Sequence, residues 1–428
     1  MRFIVLMLAS LASGAAAQEP RRVTLDEALR LASRSQPAMV QARQDVRVAS
    51  AQERQSFGAF LPSLNANLST SKSGQRVDAT SGQVTRAPLA FNDQYGISGS
   101  LDLFTGFRRG ANRRAAGATT SLREATQLRQ EYAVALSTKQ AFFNALAAAE
   151  LVAVAETRLR RADEQLKLTA EKLRLGATTR SDSLRGRVEY GNAQLQLIQA
   201  RADLRFTQAT LGRAIGVEGS VAPVPDSALE ARLGTLDTAA LRHEASANAP
   251  SVREAEASVL SARASLGANR AAYFPTLTAS GNSNWARADS NFLGGEQFGR
   301  TWSLRLQVSY PIFNGFTRET NIITADANAT AAEARLRDAR LLLDASLTQV
   351  FASLDAAAAK TDIARVSVAA AEEDLRMQRE RYRLGSSTIF EVLTSQVSLD
   401  QAQVDLVRSR YDYLVARAQI EALVGHSL

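Results

Sequence analysis

Apolar and polar side chains alternate in three stretches of the chain. In LNANLSTS, Leu64, Ala66 and Leu68 alternate with Asn65, Asn67 and Ser69. In QYGISGSLDLF, Tyr95, Ile97, Leu101 and Leu103 alternate with Gln94, Ser98, Ser100 and Asp102. In TWSLRLQVSYPIF, Trp302, Leu304, Leu306, Val308 and Tyr310 alternate with Ser303, Arg305, Gln307 and Ser309. Period two predicts strands with one apolar and one polar face. Their lengths suit membrane-spanning strands of about 9–11 residues, and Trp285, Trp302, Tyr95 and Tyr310 would supply an interfacial aromatic girdle. Long polar loops, SGQRVDATSGQVTRAPLAFN and ARADSNFLGGEQFGR, join the strand pairs.

Elsewhere the period is seven. Val152, Leu159, Leu166 and Leu173 recur at that spacing, followed beyond a break by Leu197, Leu204 and Leu211. Val368, Leu375 and Tyr382, then Leu406, Tyr413 and Ile420, do the same. A heptad predicts left-handed coiled-coil packing of long helices. A helix from about Gly110 to Leu175 would be roughly 100 Å long at about 1.5 Å per residue.

Each break is the same turn. RLGATTRSDSL, with Arg174, Leu175, Gly176, Thr179 and Leu184, returns at a constant offset in RLGSSTIFEVL as Arg383, Leu384, Gly385, Thr388 and Leu393. Asp182 of the first faces Glu391 of the second. A repeat of that length is a duplicated domain. We divide the chain into 18–216, a linker 217–235 marked by Pro223 and Pro225, and 236–428. Each repeat has one order: a helical segment, two strands, a very long helix, the glycine turn and a returning helix. The first begins at TLDEALRLA, where Thr24 caps and Glu27 completes a capping box. Pro37 interrupts that helix, which resumes to about Phe57, and FLPSL ends it. The second copy runs through LDTAALRHEASANAP, with Pro250, to YFPTL.

MRFIVLMLASLASGAAAQEP has a basic Arg2, an apolar core from Phe3 to Leu11 and small residues before Gln18. It predicts an export signal over 1–17, cleaved after Ala17. No later segment is read as apolar enough for a transmembrane helix, which leaves a periplasmic or secreted protein or a membrane β-barrel. Four strands cannot close a barrel, and a membrane tolerates no open sheet edge. Two chains would give eight strands, a size filled by side chains; three give twelve, the better geometry for a pore.

Composition narrows the chemistry. Aromatics are 6% of 428 residues, there is no cysteine, and His243 and His426 are the only imidazoles. That removes disulfides, thiolate metal sites and lipoprotein acylation, and leaves histidine chemistry little to work with. The net charge is +8, and FRRGANRR (Phe107 to Arg114) is a basic cluster. With no nucleic-acid motif beside it, it reads as a solvated helix start. An exported hydrolase using Glu189 or Asp203 would need a glycine-rich loop, nucleophile elbow or metal spacing, and none accompanies them; both acids fit a solvated helix face.

The tandem repeat, FLPSL and YFPTL entering the strands, LFTGFRR and PIFNGFTRE leaving them, and the paired glycine turns together resemble the TolC-like outer membrane efflux proteins (outer membrane factors). The resemblance covers nearly the whole mature chain. It implies a mainly helical homotrimer with a shared twelve-stranded transmembrane β-barrel in the outer membrane and a periplasmic coiled-coil tunnel. It further implies a passive exit duct for efflux or type I secretion, with no catalytic residues, cofactor, metal or nucleic acid. Its partners would be outer membrane lipid, a periplasmic adaptor and an inner-membrane RND or ABC transporter. By the same resemblance, Arg174, Leu175, Gly176, Thr179, Arg383, Leu384, Gly385 and Thr388 form adaptor-docking tips. Asp182 and Glu391 sit where the family lines its constriction with acids, and Tyr382 matches a tyrosine that holds the inner hairpin closed. Carboxylates ringing a narrow tunnel favour cations and raise their own pKa by repulsion. Ser387 stands in place of a family arginine and Thr394 in place of an aspartate, so the constriction would be latched differently. Asp182 is equally well an N-cap of the returning helix. The alternative reading, a periplasmic adaptor, would need one hairpin flanked by small β domains, whereas this chain has two hairpins and a duplicated strand pair.

Overall fold

The computed structural model describes residues 20–73, 90–225, 237–289 and 297–428. The signal expected at 1–17, the middle of both polar loops and residues 226–236 of the linker lie outside them. In order, the elements are β1 (Arg21–Val23), α1 (Leu25–Ser35), α2 (Pro37–Gly58), β2 (Ser63–Ser73), β3 (Ala90–Phe104), α3 (Arg108–Arg174) and α4 (Arg180–Ile215). Then follow β4 (Val221–Pro223), α5 (Thr238–Asn248), α6 (Pro250–Arg270), a 3-10 turn (Ala271–Tyr273), β5 (Thr276–Asp289), β6 (Gly299–Ser309), α7 (Thr317–Arg383) and α8 (Ile389–Val424). The chain forms two compact units, and each takes segments from both repeats.

One unit spans Ala42–Gln127 and Ser251–Leu341 and holds a four-stranded antiparallel sheet in the order β2-β3-β5-β6. Strands extend into the expected loops: β3 already includes Phe91 and Asn92, and β5 runs on through Arg287. Alternation breaks at Asp93, on the face of Tyr95, where Arg287 (2.8 Å) neutralises it and Thr70 donates a hydrogen bond to it (2.6 Å). The apolar face is otherwise bare, with Leu68 84% and Leu304 79% exposed. Aromatic residues gather at both strand ends. Tyr95 stacks on Trp285 (5.1 Å) and meets Phe298 edge-on near the loops. At the other end Phe104 meets Phe107 and Phe313 meets Phe316, edge-on at 5.5 and 5.4 Å. From Tyr95 to Phe104 is roughly 30 Å of strand, at about 3.3 Å per residue.

The strands hand over to α3 and α7 through a duplicated turn. Gly106 and Phe107 have φ of +60° and +66°, and Gly315 and Phe316 both have +63°. A bulky residue in the left-handed region costs about 1–2 kcal/mol, so each repeat stores strain in holding a phenylalanine outward: Phe107 is 69% and Phe316 67% exposed.

The other unit spans Leu128–Pro250 and Leu342–Leu428 with the N-terminal residues to Gln41. Its core gathers Met39, Phe142, Leu146, Leu211, Ile215, Val407 and Tyr411. β1 pairs in parallel with β4, so part of the expected linker is a strand. Thr24 caps α1 as expected, but Glu27 does not close a capping box; its carboxylate takes a hydrogen bond from Arg21 instead (2.7 Å). α7 also corrects an expectation. By length and composition it is apolar enough to cross a membrane. Leu343, Leu347, Phe351 and Leu354 of that helix are buried, facing the other helices of the unit rather than lipid.

Candidate functional site: the hairpin tips and the seam between hairpins

The repeated turn is two helix caps placed back to back. At the end of α3, Gly176 N donates to Leu173 O (3.0 Å) and Ala177 N to Lys172 O (2.8 Å). At the end of α7, Gly385 N donates to Tyr382 O (3.2 Å) and Ser386 N to Arg381 O (2.8 Å). These are Schellman caps, which need a left-handed residue; Gly176 and Gly385 supply it with φ of +72° and +80°. Three residues on, Thr179 and Thr388 cap α4 and α8 in complete capping boxes. One glycine and one threonine thus reverse each hairpin.

Asp182 and Glu391 are the reciprocal halves of those boxes. Asp182 accepts from Thr178 Oγ1 (2.8 Å) and Thr179 N (3.3 Å), and Glu391 accepts from Thr388 N (3.1 Å) and from the Ser387 hydroxyl. Burial pushes Asp182 up, but hydrogen bonds from Thr179 and Thr178 outweigh it and hold the carboxyl below its ordinary value. Ser387 first, then the Thr388 amide, hold Glu391 low. Within one chain, both therefore shift opposite to the rise that a repelling ring would impose. A lowered folded-state pKa adds stability that is complete above the ordinary carboxylate range of about 4 and is lost as pH falls below it. Amide exchange at Asp182 and Glu391, corrected for intrinsic rate, should be flat from pH 7 to about 5 and should accelerate only below about pH 4.

The remaining tip residues divide into exposed and buried. Leu175 and Leu384 stand free, 67% and 76% exposed, and Arg174 and Arg383 fold back onto Glu171 and Glu380. Thr394 bonds its own helix at Phe390 O (2.9 Å). Tyr382 is buried with Leu375, Ile389, Val392 and Leu399 between α7 and α8, and its hydroxyl finds no partner among the described residues. Lys172 of α3 lies over its ring (4.2 Å) and donates to its carbonyl oxygen, tying the first hairpin to the second.

Below a polar seam between α3 and α8 lies that tie, from α3 to α7. Above it, Arg161 reaches Asp400 (2.9 Å) and Gln403 (3.1 Å), while Arg158 pairs with Asp400 (3.1 Å) and Glu189 (2.7 Å). Higher still, Glu150 receives Tyr411 (2.7 Å) and Arg410 (3.3 Å), Lys139 pairs with Glu421, and the Tyr132 hydroxyl donates to Gly425 O. The amide of Gln396 and the Nε and Nη2 of Arg379 are buried with no partner among the described residues, each such atom costing about 1–3 kcal/mol. Within each hairpin, close packing and polar contacts occur together: Gly186 of α4 backs onto Leu166 of α3 and Arg201 pairs with Glu156 (2.9 Å), while Val392 and Leu399 of α8 join Leu375 of α7 and Ser395 bonds Asp374. The two hairpins are joined by the apolar core that Phe142 and Leu146 share with Val407 and Tyr411, and by the charged cluster centred on Asp400.

This cluster went unread in the sequence. Glu189 is no solvated acid, since it pairs with Arg158 in a partly buried network; Asp203 is on the exposed face, bonded to Gln199 (2.8 Å). The legible signal was polar residues at seven-residue spacing on α8: Gln396, Gln403, Arg410 and Arg417.

A model of the outer membrane efflux protein family matches residues 28–217 and 241–426. The toluene efflux pump outer membrane protein TtgC of Pseudomonas putida is 26% identical over 388 residues, covering 88% of this chain and 77% of its own. Protein CyaE of Bordetella pertussis is 27% identical over 408 residues, covering 93% and 81%. The crystal structure of CusC superposes with a TM-score of 0.79 at 19% identity, covering 94% of this chain and 92% of that one. The adaptor reading is thereby set aside. With both repeats matched, the chain belongs to the outer membrane efflux protein family: it is an outer-membrane exit duct whose helical tunnel lies in the periplasm.

Proposed function

We propose that three copies of this chain close one twelve-stranded barrel and one helical tunnel. An adaptor at the tips opens the tunnel, and an inner-membrane RND or ABC transporter supplies the energy. The observation that carries this reading is the sheet: four strands with β2 and β6 as open edges and an apolar face facing outward. Unpaired edges do not persist in hydrocarbon, so the edges must pair with those of other copies. Apolar residues left bare on α4 (Val188, Leu195, Ile198) and α7 (Leu342, Ile363, Val366) suit the same neighbours. The duct performs no chemistry of its own, and the export signal is removed after Ala17.

The polar seam suits an iris. A buried ionic interface sets register more than it adds stability, so the α7–α8 hairpin can shift against α3 while its own apolar packing stays intact. Asp182, Glu391, Tyr382, Ser387 and Thr394 would line or latch the constriction. Arg174, Leu175, Gly176, Thr179, Arg383, Leu384, Gly385 and Thr388 would meet the adaptor, whose preference for the open state drives the shift.

Single-channel recording of the purified protein in a planar bilayer tests this. A small, cation-preferring conductance is expected, weaker in preference for Asp182→Asn/Glu391→Gln. No channel from folded protein would overturn the duct; unchanged selectivity in the variant would leave both acids as helix caps alone.

A further inference from the structure

The basic stretch at the start of α3 has no use in the duct mechanism, and its surroundings are not those of a solvated helix start. Arg109 lies over the ring of Phe60 (5.0 Å) and donates to Ala59 O (3.4 Å) and Leu103 O (3.1 Å). One turn on, Arg113 lies over Phe57 (5.6 Å). Phe57, in the last turn of α2, and Phe60 just beyond it are half bare, Leu61 follows them exposed, and strained Phe107, 69% exposed, meets Phe104 and Phe274 edge-on. The second repeat copies the device: Arg318 lies over Tyr273 (4.1 Å), two residues after strained Phe316.

The copies differ in charge. Arg318 donates to Glu319 (2.9 Å), so the second foot is neutral. Arg109 bonds only carbonyl oxygens, and Arg113 makes no hydrogen bond or ion pair among the described residues. The α2 acid on that side, Glu53, lies against Gly117, a turn further along α3. The first foot thus presents two uncompensated guanidinium groups on an exposed aromatic patch, at the strand ends that face the periplasm in an outer-membrane barrel.

We propose that this foot binds the headgroup phosphate of an anionic phospholipid in the periplasmic leaflet. Phe57, Phe60 and Phe107 rest at the acyl boundary, where amphipathic rings settle, and Arg109 and Arg113 reach the phosphate. The planar fork of arginine matches a phosphate with paired hydrogen bonds, and its apolar stem lies along the rings while the charge stays wet. The excess positive charge selects anionic over zwitterionic lipid. The second foot, neutralised by Glu319, anchors without that selection. The proposal rests on the outer-membrane location but not on channel opening.

Native mass spectrometry of the full-length oligomer in detergent tests it, with phosphatidylglycerol or phosphatidylcholine added at equal concentration. Wild type should retain phosphatidylglycerol preferentially. Arg113→Gln should weaken that retention about fivefold, the effect of about one arginine at a lipid surface. Glu319→Gln, which frees Arg318, should add anionic lipid at the second foot. Arg113 is exposed and its one contact is the face of Phe57, itself half bare, so the variant should fold; if it does not, the Glu319→Gln gain decides. Equal retention of the two lipids by wild type, or no change in either variant, would return the cluster to a solvated helix start. A normal planar-bilayer conductance alongside that failure would leave the duct standing.

Discussion

Asp400→Ala should be the most damaging single change in the helical unit. It leaves the Arg158 and Arg161 guanidinium groups, with side chains only 12% and 11% exposed, without their shared carboxylate, itself 7% exposed. Arg379 nearby already buries two nitrogens with no partner among the described residues. Removing one side of a buried ion pair costs about 3–5 kcal/mol, because the remaining charge stays desolvated. The midpoint of thermal unfolding of the purified protein should fall accordingly. Replacing the whole cluster with apolar residues, as Arg158→Met, Arg161→Met, Glu189→Leu and Asp400→Leu, should restore most of the loss, since packed apolar groups avoid the desolvation cost. The two variants should also separate in planar bilayers. Asp400→Ala loosens the seam and should conduct more than wild type, whereas the apolar replacement fastens the hairpins and should conduct less. An unfolding midpoint unchanged by Asp400→Ala would mean that the seam carries no weight.

Gly106→Ala should be far more harmful than Gly315→Ala, although both glycines occupy the same place in the duplicated turn. Their φ angles, +60° and +63°, disfavour a β-carbon equally, which costs about 1–2 kcal/mol. Only Gly106 is also crowded: a β-carbon there would sit 2.3 Å from Phe274 Cβ and 3.0 Å from Ala271 O, while nothing lies within 4 Å of one at Gly315. Overpacking adds about 1–3 kcal/mol, so Gly106→Ala should cost about 2–5 in all, adding the backbone term. The yield of folded protein and the unfolding midpoint should rank wild type, Gly315→Ala, Gly106→Ala. Equal losses in the two variants would show that backbone strain alone governs the turn.

Much of this molecule was legible before its structure. The strands could be read from alternation because one face meets lipid and the other does not, so each side chain declares its face. The turns could be read because a left-handed glycine is local chemistry; the cap expected at Asp182 is instead Thr179, and Asp182 closes its box three residues on. Asp93 was not legible as a face-breaking charge, since Arg287, its partner, lies on another strand. Glu189 looked solvated for the same reason: Arg158 comes from the preceding helix.

The sequence alone determined the duplication, the strand faces, the long heptad helices and the twice-written tip. All of these follow from periodicity and local backbone preference. Tertiary structure decided which helices share a polar seam, that Glu189 meets Arg158, and that Asp93 meets Arg287. Those outcomes depend on pairs of side chains brought together from distant positions, and a linear pattern records the residues of such a pair without recording their meeting.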